Sequence, residues 1–232
     1  MVKLAVIIPA AGSGSRMGSS KPKPFLLLGN QPILWHTITA FTQVNFVTQV
    51  IVCTSKEWLD DVDAIFNSIS NEIIEFKAIL GGTERQFSIQ NGLNIVHDKV
   101  DLIAVHDAVR PFIGRALIKN TCQKAMQFGG AIVGVPAKDT IKKVDADLSI
   151  TETPERKNLW QAQTPQIFQK KLLIEAYEAA NIDKFIGTDD ASLVERIGGV
   201  VKLVEGDREN LKITYPVDLK IAELILKERK RK

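Results

Sequence analysis

A basic, glycine-rich stretch near the start of the chain has the residue types of an anion-binding loop. It runs from Pro9 to Lys23 as PAAGSGSRMGSSKPK, with three glycines, four serines, three cations and no carboxylate. Glycines let backbone N–H groups turn towards an anion, and Arg16, Lys21 and Lys23 add positive charge. The first acidic residue of the chain is Glu57, so no nearby acid offsets this charge. The composition favours a polyphosphate site over an ordinary strand-to-helix turn.

The spacing of the glycines excludes the two best-known phosphate-binding loops. A P-loop requires Gly-Lys-Ser/Thr, and no glycine in this stretch is followed by lysine. A dinucleotide-binding loop requires G-x-G-x-x-G, whereas Gly12, Gly14 and Gly18 give a spacing that is one residue too long. Ile38 also stands where an acid would bind the ribose. The sequence therefore supports neither P-loop hydrolysis nor nicotinamide binding.

Two further polar segments follow predicted strands, as the basic loop does. They are GGTER at 81–85 and HDAVRP at 106–111. Short apolar runs alternate with helical patterns here, which predicts an α/β fold with a Rossmann-like, mostly parallel twisted sheet and helices on both faces. Because ligands bind at the carboxyl ends of parallel strands, we expect these three segments to line one cleft.

Asp107, which ends a predicted strand, is the candidate metal ligand. A carboxylate beside a polyphosphate calls for a cation between them, and Mg²⁺ needs few carboxylates when phosphate oxygens complete its shell. A role in capping the turn before Pro111 is the alternative reading. We interpret His106, the residue before it, as structural.

The positions of the other elements follow from hydrophobic periodicity. The last helix has Pro216 in its first turn and is predicted to bury Val217, Ile221, Leu224 and Ile225. The predicted strands are Leu4–Ile8, Gln49–Cys53, Ile73–Leu80, Leu102–Val105, Ala131–Val135 and Val200–Val204, and further helices are expected at Gly114–Phe128 and Lys171–Ala180.

The alternation of predicted strands and helices stops between Pro136 and about Trp160. Thr140–Val144 and Leu148–Glu152 each alternate and flank a turn, which predicts a β-hairpin arm. A two-stranded arm needs a surface to pack on, and both a partner subunit and its own domain are possible. We therefore expect one domain over residues 1–232, with an arm inserted at about 136–160.

Composition limits the partners and the compartment of the protein. A net charge of +3 is too small to argue for nucleic acid, and no apolar run approaches the roughly 18 residues of a membrane span. Cys53 and Cys122 lie in apolar surroundings without a pairing pattern, which fits a reducing compartment. The first strand is predicted within a few residues of Met1, so we expect no signal peptide and a cytoplasmic protein.

The pattern AAGxGxRMG…PK resembles the signature loop of nucleotidyltransferases that join a nucleoside triphosphate to a sugar or polyol phosphate. From Pro9 to Thr214 the chain more closely resembles the 2-C-methyl-D-erythritol 4-phosphate cytidylyltransferase family. This resemblance implies transfer of the CMP moiety of CTP to methylerythritol phosphate, giving 4-diphosphocytidyl-2-C-methyl-D-erythritol and pyrophosphate. It places the protein in the non-mevalonate route to isoprenoid precursors, and it implies Mg²⁺ or another divalent cation and a homodimer held through the arm.

The resemblance also assigns roles to individual residues. The catalytic cations are Arg16, Lys23 and Lys212, which would stabilise the charge on the α-phosphate. The acceptor-binding residues are Arg110, Thr140, Arg156, Thr164 and Thr188, and the arm position of Thr140 and Arg156 suggests that they act in the neighbouring subunit's site. The CTP-binding residues are Ala10, Ala11, Gly12, Ser13, Gly14, Gly82, Thr83, Ser88, Asp107 and Ala108, with Asp107 also the metal ligand.

Several features depart from the family pattern or stay open. Pro24-Phe25 stands where the family commonly has Gln-Tyr or Gln-Phe, and Thr83 stands where it often has Asp. Lys21 and Glu209 receive no role. Ribitol-5-phosphate cytidylyltransferase is the alternative within this fold, and a non-catalytic nucleotide-binding module is the alternative outside enzymes. The ribitol alternative is disfavoured because the segment from Thr188 to Glu195 looks more like the isoprenoid enzyme. The non-catalytic alternative is disfavoured because Arg16, Lys23 and Asp107 are all present.

Overall fold

The computed structural model describes residues 2–12, 21–69 and 71–231. Ser13, Gly14 and Arg16 lie outside these ranges, so their assignments stay predictions from the sequence. The strands are β1 (Leu4–Pro9), β2 (Leu27–Leu28), β3 (Gln31–Pro32), β4 (Val47–Thr54), β5 (Glu75–Leu80), β6 (Leu102–Val105), β7 (Gly130–Pro136), β8 (Lys143–Val144), β9 (Ile150–Glu152), β10 (Trp160–Gln169) and β11 (Val201–Glu205). The helices are α1 (Ile33–Thr42), α2 (Leu59–Ser68), α3 (Arg85–Leu93), α4 (Arg115–Phe128), α5 (Lys170–Ile182), α6 (Asp190–Arg196) and α7 (Pro216–Arg229).

A mixed sheet of seven strands forms the centre of the described ranges. Its strand order is β11-β7-β10-β6-β1-β4-β5. The strand β10 runs antiparallel to both of its neighbours, whereas the other neighbouring strands pair in parallel. The predicted α/β fold with a mostly parallel sheet is therefore confirmed. The strand β10 is missing from the prediction, because Pro165 within it is a residue that normally argues against an interior strand.

Both faces of the sheet are covered, which explains the apolar runs of its strands β1, β6 and β7. In β1, Leu4, Val6 and Ile8 pack into one hydrophobic cluster, and Ala5 and Ile7 pack into a second cluster on the other side. Successive side chains of a strand point to opposite faces, so a strand buried on both faces is apolar throughout.

Two predicted boundaries shift for local reasons. The strand β5 begins at Glu75 and not at Ile73, because the Asn71 side chain accepts hydrogen bonds from the backbone N–H groups of Ile73 and Ile74 in a turn. The predicted helix from Gly114 begins at Arg115, and Gly114 is its N-cap with extended backbone angles.

The predicted buried face of the last helix is wrong for most of its residues. Val217, Ile221 and Leu224 are 58%, 44% and 61% exposed. The helix α7 instead packs through an adjacent stripe in which Ala222 is fully buried. The small Ala222 side chain permits close approach of the helix, and Leu219, Ile225 and Leu226 pack beside it against a third apolar cluster.

A hairpin is present where the sequence predicts one. Its strands β8 and β9 pair antiparallel over fewer residues than the alternating pattern suggests. Val144, Leu148 and Ile150 in this hairpin are all exposed. Among the helices of the described residues, none combines the length and the apolar composition needed to cross a membrane.

Candidate active site

The carboxyl ends of β1, β5 and β6 border a cleft of about 400 Å³. The basic loop, the GGTER segment and the HDAVRP segment all contribute to its walls, as the sequence predicts. The lining residues are Pro9, Ala10, Ala11, Gly12, Lys23, Pro24, Gly82, Thr83, Glu84, Arg85, Ser88, Asp107, Ala108, Val109 and Lys212.

Lys23 reaches the cleft because the chain around it is anchored by an aromatic contact. It begins a short 3₁₀ turn, Lys23–Phe25, in which Phe25 is buried and stacks on Trp58 with ring centroids 4.5 Å apart. Pro24-Phe25 thus holds the turn in place. Lys21 lies elsewhere, with its ammonium 5.9 Å from the Trp58 ring centre. The two lysines therefore occupy different environments, and Lys23 is the one that lines the cleft.

Glycines at the end of β5 allow the start of α3 to approach the basic loop. A Cβ atom on Gly81 would lie 2.6 Å from the Cβ atom of Ala11, and one on Gly82 would lie 2.4 Å from that of Phe87. Ser88 fixes this turn, since its hydroxyl accepts a hydrogen bond of 3.0 Å from the Gly82 N–H group. These contacts explain why no side chain fits at Gly81 or Gly82.

Asp107 is buried and faces several cations. Its Oδ2 atom lies 3.1 Å from both Arg110 Nε and Lys212 Nζ, and its Oδ1 atom lies 3.7 Å from Arg85 Nε. Burial by itself raises the pKa of this carboxyl, but Lys212, Arg85 and Arg110 hold the pKa well below its ordinary value of 3.8. Asp107 is therefore ionised at neutral pH.

His106 and Thr164 support Asp107 from behind. His106 Nε2 lies 3.0 Å from the Arg110 carbonyl, which can only accept, so this nitrogen carries the proton. The Thr164 hydroxyl then donates to His106 Nδ1 at 3.1 Å and accepts from the Asp107 N–H group at 3.0 Å. Burial lowers the pKa of His106 to about 4, so the ring is neutral. Thr164 reaches this edge because β10 is antiparallel and its first half lies beside the carboxyl end of β6.

The predicted acceptor residues fall into separate locations. Arg110 is buried and donates to Asp107 and to the Asn210 carbonyl, at 3.1 and 2.8 Å. Thr140 and Arg156 are exposed and lie outside the lining of the cleft, and Arg156 donates to the Lys138 carbonyl. Thr188 lines a smaller cavity of about 90 Å³, whose walls share Glu84 and Arg85 with the cleft.

Sequence reasoning overlooked Arg85, Asp190 and Asn210. Arg85 bonds to the buried Asp190 at 2.8 Å, and the fully buried Asn210 donates to the Thr164 carbonyl at 2.9 Å. Arg85 lies inside the GGTER segment, so a cation next to a predicted base pocket was the available signal. Asp190 lies far in sequence from the segments that line the cleft. Asn210 lies two residues before Lys212, and its neutral amide carries no charge that would have singled it out.

Comparison with known proteins identifies the family. A family model described as "IspD: 2-C-methyl-D-erythritol 4-phosphate cytidylyltransferase" matches residues 4–228. The chain belongs to this family. Its members are nucleotidyltransferases, so the predicted family and enzyme class are both confirmed.

Relatives of the cytidylyltransferase family match along nearly the whole chain. One from Caldanaerobacter subterraneus subsp. tengcongensis is 40% identical over 230 residues, which are 98% of this chain and 100% of that protein. One from Clostridioides difficile is 44% identical over 229 residues, covering 98% of this chain and 95% of that protein. Both are named 2-C-methyl-D-erythritol 4-phosphate cytidylyltransferase.

Solved structures agree with these relatives. The 4-diphosphocytidyl-2C-methyl-D-erythritol synthase from Anaerococcus prevotii has a TM-score of 0.86 at 30% identity, and the match covers 97% of this chain and 99% of that one. The 2-C-methyl-D-erythritol 4-phosphate cytidylyltransferase from Thermus thermophilus has a TM-score of 0.78 at 30% identity, covering 97% and 100%. The cytidylyltransferase fold therefore extends over both the cleft and the arm.

Proposed function

We propose that the cleft performs the reaction for which its family is named. It transfers the CMP moiety of CTP to 2-C-methyl-D-erythritol 4-phosphate, giving 4-diphosphocytidyl-2-C-methyl-D-erythritol and pyrophosphate for isoprenoid precursor synthesis. The observation that carries this proposal is the common location of Lys23, Lys212, Asp107 and the glycine-framed turn at Gly82 in the cleft. A triphosphate nucleotide requires both the cations and a close-fitting pocket for its base.

In the proposed reaction, an oxygen of the acceptor phosphate attacks the α-phosphorus of CTP. The new P–O bond forms while the bond to the bridging oxygen breaks, and that oxygen leaves with its electron pair as pyrophosphate. The acceptor phosphate is already ionised, so no proton must be removed. Lys23 and Lys212, together with Arg16 from the sequence, stabilise the negative charge that spreads over the α-phosphate oxygens.

The base of CTP is proposed to bind at Ala10, Ala11, Gly12, Gly82, Thr83, Ser88 and Ala108. A side chain at Gly81 or Gly82 would collide with Ala11 or Phe87, so glycine at these positions keeps the turn beside this pocket close to its neighbours. Backbone groups of these small residues can approach the base edge without obstruction by long side chains. Ser13 and Gly14 complete the proposed nucleotide set from the sequence.

The cleft suits Mg²⁺ or another divalent cation bound through the nucleotide. In the described ranges no group of three or more His, Cys, Asp and Glu side chains could hold a metal by itself. Asp107 together with phosphate oxygens is the donor set that Mg²⁺ prefers. When bound, such an ion would neutralise and orient the triphosphate. Lys212 is about half exposed, so it can turn from Asp107 to the phosphates.

The acceptor is proposed to bind through Arg110, Thr164 and Thr188 on one chain, and through Thr140 and Arg156 of the arm. The exposed Val144, Leu148 and Ile150 of the hairpin support packing of the arm on a second copy. We therefore propose a homodimer, with residues 1–232 as one domain that carries the arm at about 136–160. A monomer by light scattering would contradict the shared site.

The remaining partners follow from composition. A net charge of +3 is small for a protein that binds nucleic acid, so we propose no nucleic-acid partner. We also propose that the protein does not bind a membrane. Cys53 and Cys122 are both buried free thiols, which supports the proposed cytoplasmic location.

Pyrophosphate release tests the proposed activity. The protein is assayed with each nucleoside triphosphate against methylerythritol 4-phosphate, ribitol 5-phosphate and related polyol phosphates. We expect turnover with CTP and methylerythritol 4-phosphate. Turnover with ribitol 5-phosphate and none with methylerythritol 4-phosphate would support ribitol-5-phosphate cytidylyltransferase instead. Nucleotide binding without pyrophosphate release from any pair would support the non-catalytic module.

A further inference from the structure

Arg85 lies between two carboxylates and has no role in the reaction as described above. Its Nε atom is 3.7 Å from Asp107 Oδ1, and its Nη2 atom is 2.8 Å from Asp190 Oδ2. Asp107 lines the nucleotide cleft, and Asp190 lines the smaller cavity that contains Thr188. One planar guanidinium group thus connects the two cavities.

Asp190 is a firm anchor for this connection. Its side chain is 1% exposed, and its Oδ1 atom accepts a hydrogen bond of 2.6 Å from the Tyr177 hydroxyl. The segment before it is held too, because Gln86 accepts from the Gly187 N–H group at 2.9 Å. The chain that carries Thr188 is therefore fixed to α3 and α5.

Two of the three cations around Asp107, Arg85 and Arg110, are needed to balance buried carboxylates, whereas the third, Lys212, can turn away towards the phosphates. Arg85 and Arg110 together balance the charges of Asp107 and Asp190, and Lys212 is in excess of this balance. The side chains of Arg110 and Arg85 are 10% and 35% exposed, whereas that of Lys212 is 47% exposed. When Lys212 turns to the phosphates, the two arginines remain to hold the Asp107 carboxylate.

A lysine could not make the same connection. An ammonium group is a compact point charge, whereas the guanidinium presents a rigid fork of donors in one plane. Burial by itself lowers the pKa of Arg85, but Asp190 and Asp107 raise it, so the group keeps its charge. The guanidinium donates a hydrogen bond of 2.8 Å to Asp190, and its planar fork holds Nε 3.7 Å from Asp107 Oδ1 as an ion pair without a hydrogen bond.

We propose that Arg85 is a positioning residue, which orients the Asp107 carboxylate towards the nucleotide and couples it to the segment that carries Thr188. Arg85 acts through its contacts with Asp107 and Asp190, and it does not contact the reacting atoms. This inference rests on the proposed function, because it assumes that CTP occupies the cleft and that the acceptor contacts Thr188.

The test compares Arg85→Lys and Arg85→Gln with wild type, and uses Arg196→Gln as the matched control. Arg196 makes an ion pair of the same 2.8 Å length with Asp183, but both side chains are more than two-fifths exposed. Binding of Mg²⁺·CTP is measured by isothermal titration calorimetry without acceptor, and KM and kcat by pyrophosphate release. Thermal unfolding of each variant is followed in parallel.

We expect Arg85→Lys to unfold near the wild-type temperature, because it keeps a cation beside Asp190. It should nevertheless bind Mg²⁺·CTP about 10- to 100-fold more weakly, as other residues that orient a metal ligand do. Its KM for methylerythritol 4-phosphate should rise by more than kcat falls. Arg85→Gln should lose both stability and binding, and Arg196→Gln should match wild type.

Wild-type binding and wild-type KM in Arg85→Lys would overturn the proposal, whatever its unfolding temperature, since Arg85 would then act through packing or charge. If Arg85→Gln fails to fold, Arg85→Lys still decides the question. The proposed function fails separately, when the wild-type protein itself releases no pyrophosphate from CTP and methylerythritol 4-phosphate. The calorimetric comparison of Mg²⁺·CTP binding remains decisive for Arg85 in that case.

Discussion

The nucleotide cleft and the arm contain similar side chains in opposite environments. In the cleft region, Arg110 is buried between a carboxylate and a backbone carbonyl, and Thr164 is buried in a hydrogen-bond network with His106. In the arm, Arg156 donates to a single backbone carbonyl at the surface, and Thr140 is exposed. The same residue types are therefore buried in a hydrogen-bond network in one region and exposed to solvent in the other.

This difference separates the part of the active site that one folded chain positions from the part that the arm supplies. The cleft residues are held by strands β1, β5, β6 and β10 of one chain, so their geometry comes with folding. The arm has a short hairpin with exposed apolar side chains, and an isolated two-stranded hairpin is marginally stable in water. We propose that its acceptor residues become oriented when the second subunit covers the arm.

The largest expected effect is on the cleft. Lys23→Ala should reduce kcat by roughly 100- to 1,000-fold, because it removes a fixed cation from the developing charge on the phosphate. Lys21→Ala is the matched control and should change kcat little, since Lys21 lies over the Trp58 ring. Steady-state pyrophosphate release measures both. Equal losses in the two variants would remove the distinction between the lysines. Arg16→Ala should behave like Lys23→Ala.

The next effect concerns the buried network behind the cleft. Burial lowers the pKa of His106 from its ordinary 6.5 to about 4, so protons bind more readily to the unfolded chain. The stability that the neutral ring contributes is fully present above pH 6.5 and is lost as the pH falls towards 4. This loss amounts to about 3 kcal/mol across that window. The depressed pKa of Asp107 adds a further loss only below its ordinary value of 3.8.

Urea unfolding as a function of pH measures this contribution. The control is His106→Gln, which retains a donor and does not titrate. It should be less stable than wild type at neutral pH, but its free energy of unfolding should fall less between pH 6.5 and 4. The same slope in both proteins would show that His106 is not the group responsible.

A smaller effect is expected in the arm. Arg156→Ala should leave the unfolding temperature unchanged and raise KM for the acceptor by roughly 10- to 100-fold, the value of a hydrogen bond to a charged group. Loss of Arg110 should affect stability as well, because its removal leaves Asp107 with fewer partners. A lower unfolding temperature in Arg156→Ala would contradict the contrast, because it would show that the arm residue also contributes to the stability of the fold.

Mixing subunits sharpens the same test. Lys23→Ala and Arg156→Ala chains are combined and allowed to exchange. The rate is measured at an acceptor concentration well below the raised KM of Arg156→Ala, where sites lacking Arg156 turn over slowly. If the arm acts in the neighbouring site, each mixed dimer contains one intact site, and an equal mixture should recover about a quarter of the wild-type rate. If the arm acts on its own chain, no intact site forms, and the rate stays at that of the two separate variants.

The smallest effect is local to the segment behind the cleft. Asp189 is the N-cap of α6 and accepts a hydrogen bond of 3.0 Å from the Ser192 N–H group. Asp189→Ala should reduce the free energy of unfolding by about 1 kcal/mol, measured by urea denaturation. Asp183→Ala, at the exposed pair with Arg196, should have little effect. An equal effect of both variants would argue against the cap.

Local patterns in the sequence were enough to predict the parts of the molecule that depend on neighbours in the chain. The strands β1 and β6 are apolar runs because both faces of the sheet are covered. Glycines and cations in the basic loop indicate an anion, and the topology of parallel strands brings Asp107 and Gly82 to the same edge. These inferences need only periodicity, residue type and the rule that ligands bind at carboxyl ends.

Tertiary packing decided the rest, because the contacts join residues that are distant in the chain. The antiparallel β10 brings Thr164 beneath Asp107, and the side chain of Asp190 reaches Arg85 across more than a hundred residues of sequence. The buried stripe of α7 depends on the surface against which that helix packs, so its own periodicity selected the wrong face. The sequence by itself determined the family, the fold class and most of the residues that line the cleft. The partners of Asp107 were decided by the fold, since ion pairs depend on distances in space.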